Sequence, residues 1–217
     1  MEADPLGFWR FADSETEDGM TSSDKPVYER ERKFIVAERS ILNGLTWEYI
    51  VQGYIWKAEG YAIRARVIKN PVREAGELSY EDRGGKITAK GPKYGDEREE
   101  YEIDVPVSFA QGIIDRSELV IRKRRYHLVD PESAQVWDID EFEDDNTGLI
   151  VAELEALRGG NHNEADDDDV RSAKMPKWAY REVTSDKRFN NENLAAYPVS
   201  KWDKESDWKP ESPWDWD

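Results

Sequence analysis

Three pairs of carboxylates repeat one spacing. Glu29 and Glu31 stand two residues apart with Lys33 two further on, and Glu153/Glu155 and Asp138/Asp140 repeat the step. In an extended chain that step places side chains on one face. Clustered carboxylates repel, and they stay ionised together only with a cation among them. The chain has no cysteine and only two histidines, His127 and His162, so oxygen ligands dominate and Mg2+ or Mn2+ is expected rather than zinc. A second set is basic: Arg64, Arg66, Lys90, Lys123 and Arg125, with Arg98 and Lys187 as further members. Guanidinium forks suit phosphoryl oxygens, and lysines act as point charges. At about 4 Å and an effective dielectric near 20, each unit pair is worth about 4 kcal/mol before desolvation. An orthophosphate cannot use so many cations, whereas a triphosphate can. The residue types therefore point to a polyanionic phosphate handled beside a divalent metal.

These residues need elements to position them, and the pattern is strand-like. Charged and apolar residues alternate over Tyr28–Ala37, Tyr49–Trp56, Tyr61–Ile68, Gly85–Gly91, Arg98–Val105, Leu119–Val129, Gln135–Glu141 and Leu149–Leu157. About eight such strands can close a small antiparallel barrel. Ser108–Glu118 reads as a helix capped by Ser108, with Phe109, Ile113 and Ile114 on its apolar side. Residues Pro71–Arg83 read as a long hairpin loop. The alternation gives one apolar face and one face charged in both signs, which two arrangements satisfy. The charged face meets water outside an ordinary amphipathic sheet, or it lines a closed barrel whose apolar exterior is covered. The second requires opposite charges to pair or a ligand to neutralise them.

The 217 residues carry a net charge of −17, which disfavours nucleic acid as a partner. No run of eighteen apolar residues and no basic-then-apolar leader occurs, so neither membrane insertion nor secretion is expected, and the cytoplasm is the expected compartment. The expected organisation is an acidic extension over residues 1–26, one domain over 27–197 with an acidic loop at 159–173, and an acidic tail over 198–217. The tail holds Trp202, Trp208, Trp214 and Trp216, which suggests docking on the body of the protein or on a protein partner. The oligomeric state is not legible.

Taken in order, the motifs resemble the CYTH, or triphosphate tunnel metalloenzyme, superfamily. Glu29-Arg30-Glu31-Arg32-Lys33-Phe34 resembles its ExExK first strand, and Gln52-Gly53-Tyr54-Ile55 its second. Arg64-Ala65-Arg66 is similar to the paired arginines of the third, and Ile87-Thr88-Ala89-Lys90-Gly91 to the lysine-bearing fourth. Arg98-Glu99-Glu100-Tyr101-Glu102-Ile103, Lys123-Arg124-Arg125-Tyr126, Asp138-Ile139-Asp140 and Ala152-Glu153-Leu154-Glu155 resemble the fifth to eighth. Trp178 to Phe189 resembles the closing segment with its lysine. The resemblance runs from about Tyr28 to Ala195. Val51 stands where some relatives have an arginine.

The resemblance implies a mainly β protein with flanking helices, built as a closed eight-stranded antiparallel tunnel. By position, Glu29, Glu31, Asp140, Glu153 and Glu155 would hold Mg2+ or Mn2+. Arg64, Arg66, Lys90, Lys123, Arg125 and Lys187 would cradle phosphates, and Lys33 with Tyr54 would help activate the attacking water. Members hydrolyse inorganic or thiamine triphosphate, or cyclise ATP. Nothing here explains an organic moiety beyond Trp47, Trp56 and Trp178, which could stack on one, so inorganic triphosphate is the expected substrate. A silent polyphosphate-binding module is the alternative from outside enzymes.

Overall fold

The computed structural model describes residues 27–36, 38–95, 97–158 and 165–203. The extension 1–26 and the tail residues Trp208, Trp214 and Trp216 lie outside the described residues. Eight strands follow the alternating segments: β1 Val27–Val36, β2 Trp47–Ala58, β3 Tyr61–Glu74, β4 Glu77–Tyr94, β5 Glu97–Val105, β6 Leu119–Val129, β7 Val136–Phe142 and β8 Ile150–Arg158. A short ninth strand, β9 Ala179–Glu182, adds to β1. All pairings are antiparallel, in the order β5-β4-β3-β2-β6-β7-β8-β1, and β1 pairs back onto β5, which closes an eight-stranded barrel.

Turn chemistry explains two of the connections. The β2–β3 turn uses Glu59 (φ 51°) and Gly60 (φ 87°), and the β3–β4 turn uses Ala75 (φ 51°) and Gly76 (φ 90°). Two residues of positive φ make the tight hairpin turn whose twist matches the strands. The second turn corrects the expected loop at Pro71–Arg83. Those residues continue β3 and β4 as a long hairpin, with Pro71 opposite Tyr80 and Arg73 opposite Leu78.

The charged face is the inner face. Lys123, Asp140 and Gln52 are fully buried, and Glu29, Lys33, Arg64, Arg125 and Glu153 are buried with them. The apolar outer face is covered in two places. Helix α1 (Val107–Ile114) seats Ala110 and Ile114 on Val51, Ala65 and Val67. Helix α2 (Ala165–Ser172) seats Val170 against Phe34, Trp137, Ile139 and Leu154. Thus part of the expected acidic loop is helical. In α1 the cap position falls on Pro106, without a side-chain cap, and Phe109 is 57% exposed rather than on the buried side. Trp137 meets Phe34 and Trp178 edge to face, and emptying a site of that size costs about 3–5 kcal/mol.

One end of the barrel is filled. Ile35, Ile121, Phe142 and Val151 follow the charged inner positions and pack against Val183, Phe189, Leu194, Val199 and Trp202 of the C-terminal segment. That segment contains α3 (Asn191–Ala196). Trp202 is thereby buried, its indole N–H donating to the Tyr197 carbonyl at 3.0 Å.

Candidate active site

The alternation of β1, β3, β4, β6 and β8 brings the two charge sets into one cavity. Its walls include Glu29, Glu31, Lys33, Tyr54, Arg64, Arg66, Lys90, Arg125, Glu153 and Glu155. The free space is about 40 Å3, because the opposite charges have closed onto each other. The Lys33 ammonium donates to Glu31 at 2.7 Å and Glu153 at 2.5 Å. Lys90 bonds Glu29, and lies 2.7 Å from Glu100. Arg125 spans Asp138, Asp140 and Glu153 at 2.7–2.8 Å.

Three of the expected site residues lie elsewhere. Lys123 and Asp140 form a dry pair between Arg125 and the apolar end, behind the cavity wall. Lys187 sits on an exposed turn whose inward residue is Phe189. There the Asp186 carboxylate accepts the Arg188 N–H. Conversely, Arg98 and the segment Asn190–Glu192 line the cavity. Arg98 had been a secondary candidate, and Asn190–Glu192 carried no spacing signal that could have found them. The aromatic residues offered for an organic moiety are outside. A register shift between Tyr54 and Trp56 turns Trp56 outward opposite Ile63. Trp178 packs on the outer core beside α2, and Trp47 stacks with Arg124 and Tyr80. Among the described residues, the only aromatic ring lining the cavity is Tyr54.

The cations divide into satisfied and unsatisfied ones. Arg64 and Arg66 are the latter in hydrogen bonding: each Nε is buried without a partner, and neither forms an ion pair among the described residues, although for Arg64 the burial is outweighed by Tyr54, Glu100, Glu29 and Glu102, which hold its guanidinium above its usual range. Burial, together with the neighbouring Arg64 and Arg125 charges, pushes the Arg66 guanidinium down to about 10. Burial also lowers Lys123, to about 8, with the Arg125 and Arg66 charges adding to it against Asp140 and Glu153. Burial alone would lower Lys33 too, but Glu153 and Glu31 outweigh it and hold the ammonium well above its usual range. Burial raises Tyr54, whose hydroxyl accepts from Gln52 Nε2 at 2.9 Å. As placed, Lys33 and Tyr54 are a charged ammonium and a neutral phenol. No hydrogen bond joins them, and it is Glu153 and Glu31 that keep the lysine protonated here.

Among the described residues, no three acidic or histidine side chains converge as a preformed metal cage. The donor chemistry still favours a hard cation at one place. Glu155 is exposed to the channel yet pushed up to about 8, first by the surrounding protein and then by Glu29, Glu100 and Glu153. That is an excess of negative charge which a cation would relieve. Asp140 does not fit the same set, because Lys123 and Arg125 occupy its two oxygens.

No family model matches the sequence. The chain is 34% identical over 179 residues to an inorganic triphosphatase of Acetivibrio thermocellus, covering 80% of this chain and 97% of the relative. The chain belongs to the inorganic triphosphatase family. A solved structure agrees in fold. A structure of the hypothetical protein NE1496 matches with a TM-score of 0.50 and 26% identity, covering 77% of this chain and 97% of that one. Another, of the inorganic triphosphatase NE1496, matches with a TM-score of 0.49 and 26% identity, covering 77% and 93%. A triphosphatase of this family must hold a chain of phosphates against solvent. The inward cations of this barrel lie on separate strands, β1, β3, β4 and β6, so closure of the sheet is what assembles them.

Proposed function

We propose that this protein is a CYTH-type tunnel enzyme that hydrolyses inorganic triphosphate to diphosphate and phosphate with a divalent metal. The observation carrying this reading is the pair Arg64 and Arg66, which line the cavity with each Nε buried and without a hydrogen-bond partner. A buried donor left unsatisfied is costly, and a polyphosphate supplies paired oxygen acceptors for both forks. The small cavity implies an exchange of partners. Lys33, Lys90 and Arg125 would leave their carboxylates for phosphoryl oxygens, and Glu29, Glu31, Glu153 and Glu155 would be the residues to hold the metal. When bound, the metal supplies charge neutralisation and acidifies the attacking water. The chain's own cations stabilise charge that builds on the leaving diphosphate as the water oxygen bonds to the terminal phosphorus. Inorganic triphosphate is favoured over thiamine triphosphate or ATP because Trp47, Trp56 and Trp178 face away from the cavity. The protein is then expected in the cytoplasm.

The test is phosphate release by the full chain from inorganic triphosphate, thiamine triphosphate and ATP, each with Mg2+, Mn2+ or a chelator. Metal-dependent turnover highest on inorganic triphosphate is expected. Faster turnover of an organic triphosphate, or full activity in chelator, would overturn the respective half of the proposal. Binding of polyphosphate with no turnover would leave only the binding-module reading.

A further inference from the structure

A cavity of about 760 Å3 lies outside the barrel. It is a groove between the end of β2 and α1, lined on its apolar side by Ile55, Trp56, Phe109, Ile113 and Leu119. Ile55, Trp56 and Phe109 are 51%, 48% and 57% exposed, an uncovered apolar patch on an otherwise highly charged molecule. The register shift in β2 creates it, by turning both Ile55 and Trp56 away from the barrel interior. Its rim carries two cations, Lys57 and Arg116. Lys57 is held by Asn193 and the Glu192 carbonyl of α3.

The C-terminal segment leaves the described body beside this groove. Lys201 and Glu118 line one neighbouring cavity, and Glu118 also lines the groove. Trp202 is anchored on Phe189 at 5.2 Å between ring centroids. The chain beyond, KESDWKPESPWDWD from Lys204 to Asp217, can span roughly 45 Å when extended. It carries Trp208, Trp214 and Trp216 with Asp207, Asp215 and Asp217 beside them, apolar rings for the groove and acids for Lys57 and Arg116. Glu118, the one acid of the lining, lies next to the exit, where the segment begins with Lys204.

We propose that residues 204–217 dock in cis along the β2–α1 groove, with tryptophans on Ile55, Trp56 and Phe109 and carboxylates at Lys57 and Arg116. The absence of cysteine gives a direct probe. In the full chain, Ser108→Cys puts one thiol on the groove wall at an exposed position, and its rate of reaction with a small thiol reagent reports cover. Slow labelling is expected, accelerated at least tenfold by adding Trp208→Ser, Trp214→Ser and Trp216→Ser together, and equally by Phe109→Asp, with circular dichroism confirming the fold. High salt should accelerate it in part. Acceleration by Phe8→Ser, Trp9→Ser and Phe11→Ser instead would assign the groove to the N-terminal extension. Labelling that slows with protein concentration would assign it to a second copy. Fast labelling unaffected by any variant would mean an open groove. Each of the last three results overturns the proposal.

Discussion

Two groups of charges share one barrel interior and behave oppositely. Around Asp140, the ammonium of Lys123 and the fork of Arg125 converge on a carboxylate with no solvent exposure. Arg125 passes the contact on to Glu153, and Glu153 to Lys33. A few strands away, Arg64 and Arg66 each leave a buried Nε without a partner, and Glu155 meets Glu29, Glu100 and Glu153 with only Lys90 opposing them. The first group is a closed network whose members satisfy one another. The second holds unbalanced charge of both signs, the condition under which a polyanion and its metal gain most by entering. Mixed charge on an inner face is therefore not one feature. The sealed end of the network, Lys123 with Asp140, holds the wall, whereas its outer members Arg125, Glu153 and Lys33 line the cavity beside the unbalanced charges and can exchange partners there.

The comparison breaks most visibly at Asp140. Asp140→Asn leaves Lys123 and Arg125 competing with no carboxylate between them, and losing one partner of a buried pair costs about 3–5 kcal/mol. Thermal unfolding of the metal-free chain should shift down by roughly 6–20 °C for a protein of this size. An unchanged melting temperature would mean that the pair is not structural. Arg66→Met should do the reverse. Removing an unpartnered buried cation should leave the melting temperature unchanged or raised, while turnover of triphosphate drops about 100- to 1000-fold, the usual cost of one lost donor to developing charge. A variant that is both unstable and active would place Arg66 in the wall network.

The same contrast marks where the sequence could be read. Leu119–Val129 was legible to the residue, because Glu118 and the Asp130-Pro131 turn signal bound a run rich in β-branched and aromatic residues. Which face turned inward was not, since alternation is identical in an open sheet and a closed barrel. The pairing of β1 with both β5 and β8 decides it. The helix at 165–172 was hidden by its aspartate run, since among its described side chains only Val170 reaches the core. Trp56 was misplaced because the register shift between Tyr54 and Trp56 breaks the two-residue alternation from which its face was read. The carboxylates and cations of the cavity were legible from their two-residue spacing. Their division into balanced and unbalanced groups was not, because it depends on which strands become neighbours.

Acidity offers a finer cut. Glu155 is raised to about 8 in the folded chain, first by its surroundings and then by Glu29, Glu100 and Glu153. A carboxyl whose folded pKa exceeds its unfolded one favours folding at low pH and loses that contribution as pH rises. The window runs from the ordinary carboxyl value near 4.5 to about 8. With chelator present, melting temperature should therefore decline over that window, and Glu155→Gln should flatten the decline and exceed the parent at pH 8. Adding Mg2+ or Mn2+ to the parent should restore stability at the upper end. A parent profile that is flat across the window would show that Glu155 keeps an ordinary acidity, and the case for excess negative charge there would fail.

The smallest effect belongs to Lys187. Motif order alone assigned it to the phosphates, but its turn is fixed by Phe189 facing the core and by Asp186 accepting the Arg188 N–H, which leaves the lysine on the surface. Replacing an exposed, unengaged side chain typically changes free energies by no more than about 0.5 kcal/mol, roughly twofold in a rate. Lys187→Ala should thus leave kcat, KM and melting temperature within that margin, where Arg66→Met removes most of the turnover. A large rise in KM for Lys187→Ala, with stability unchanged, would mean that the turn swings inward when phosphate binds. The receptive group would then extend beyond the barrel wall to the segment preceding α3.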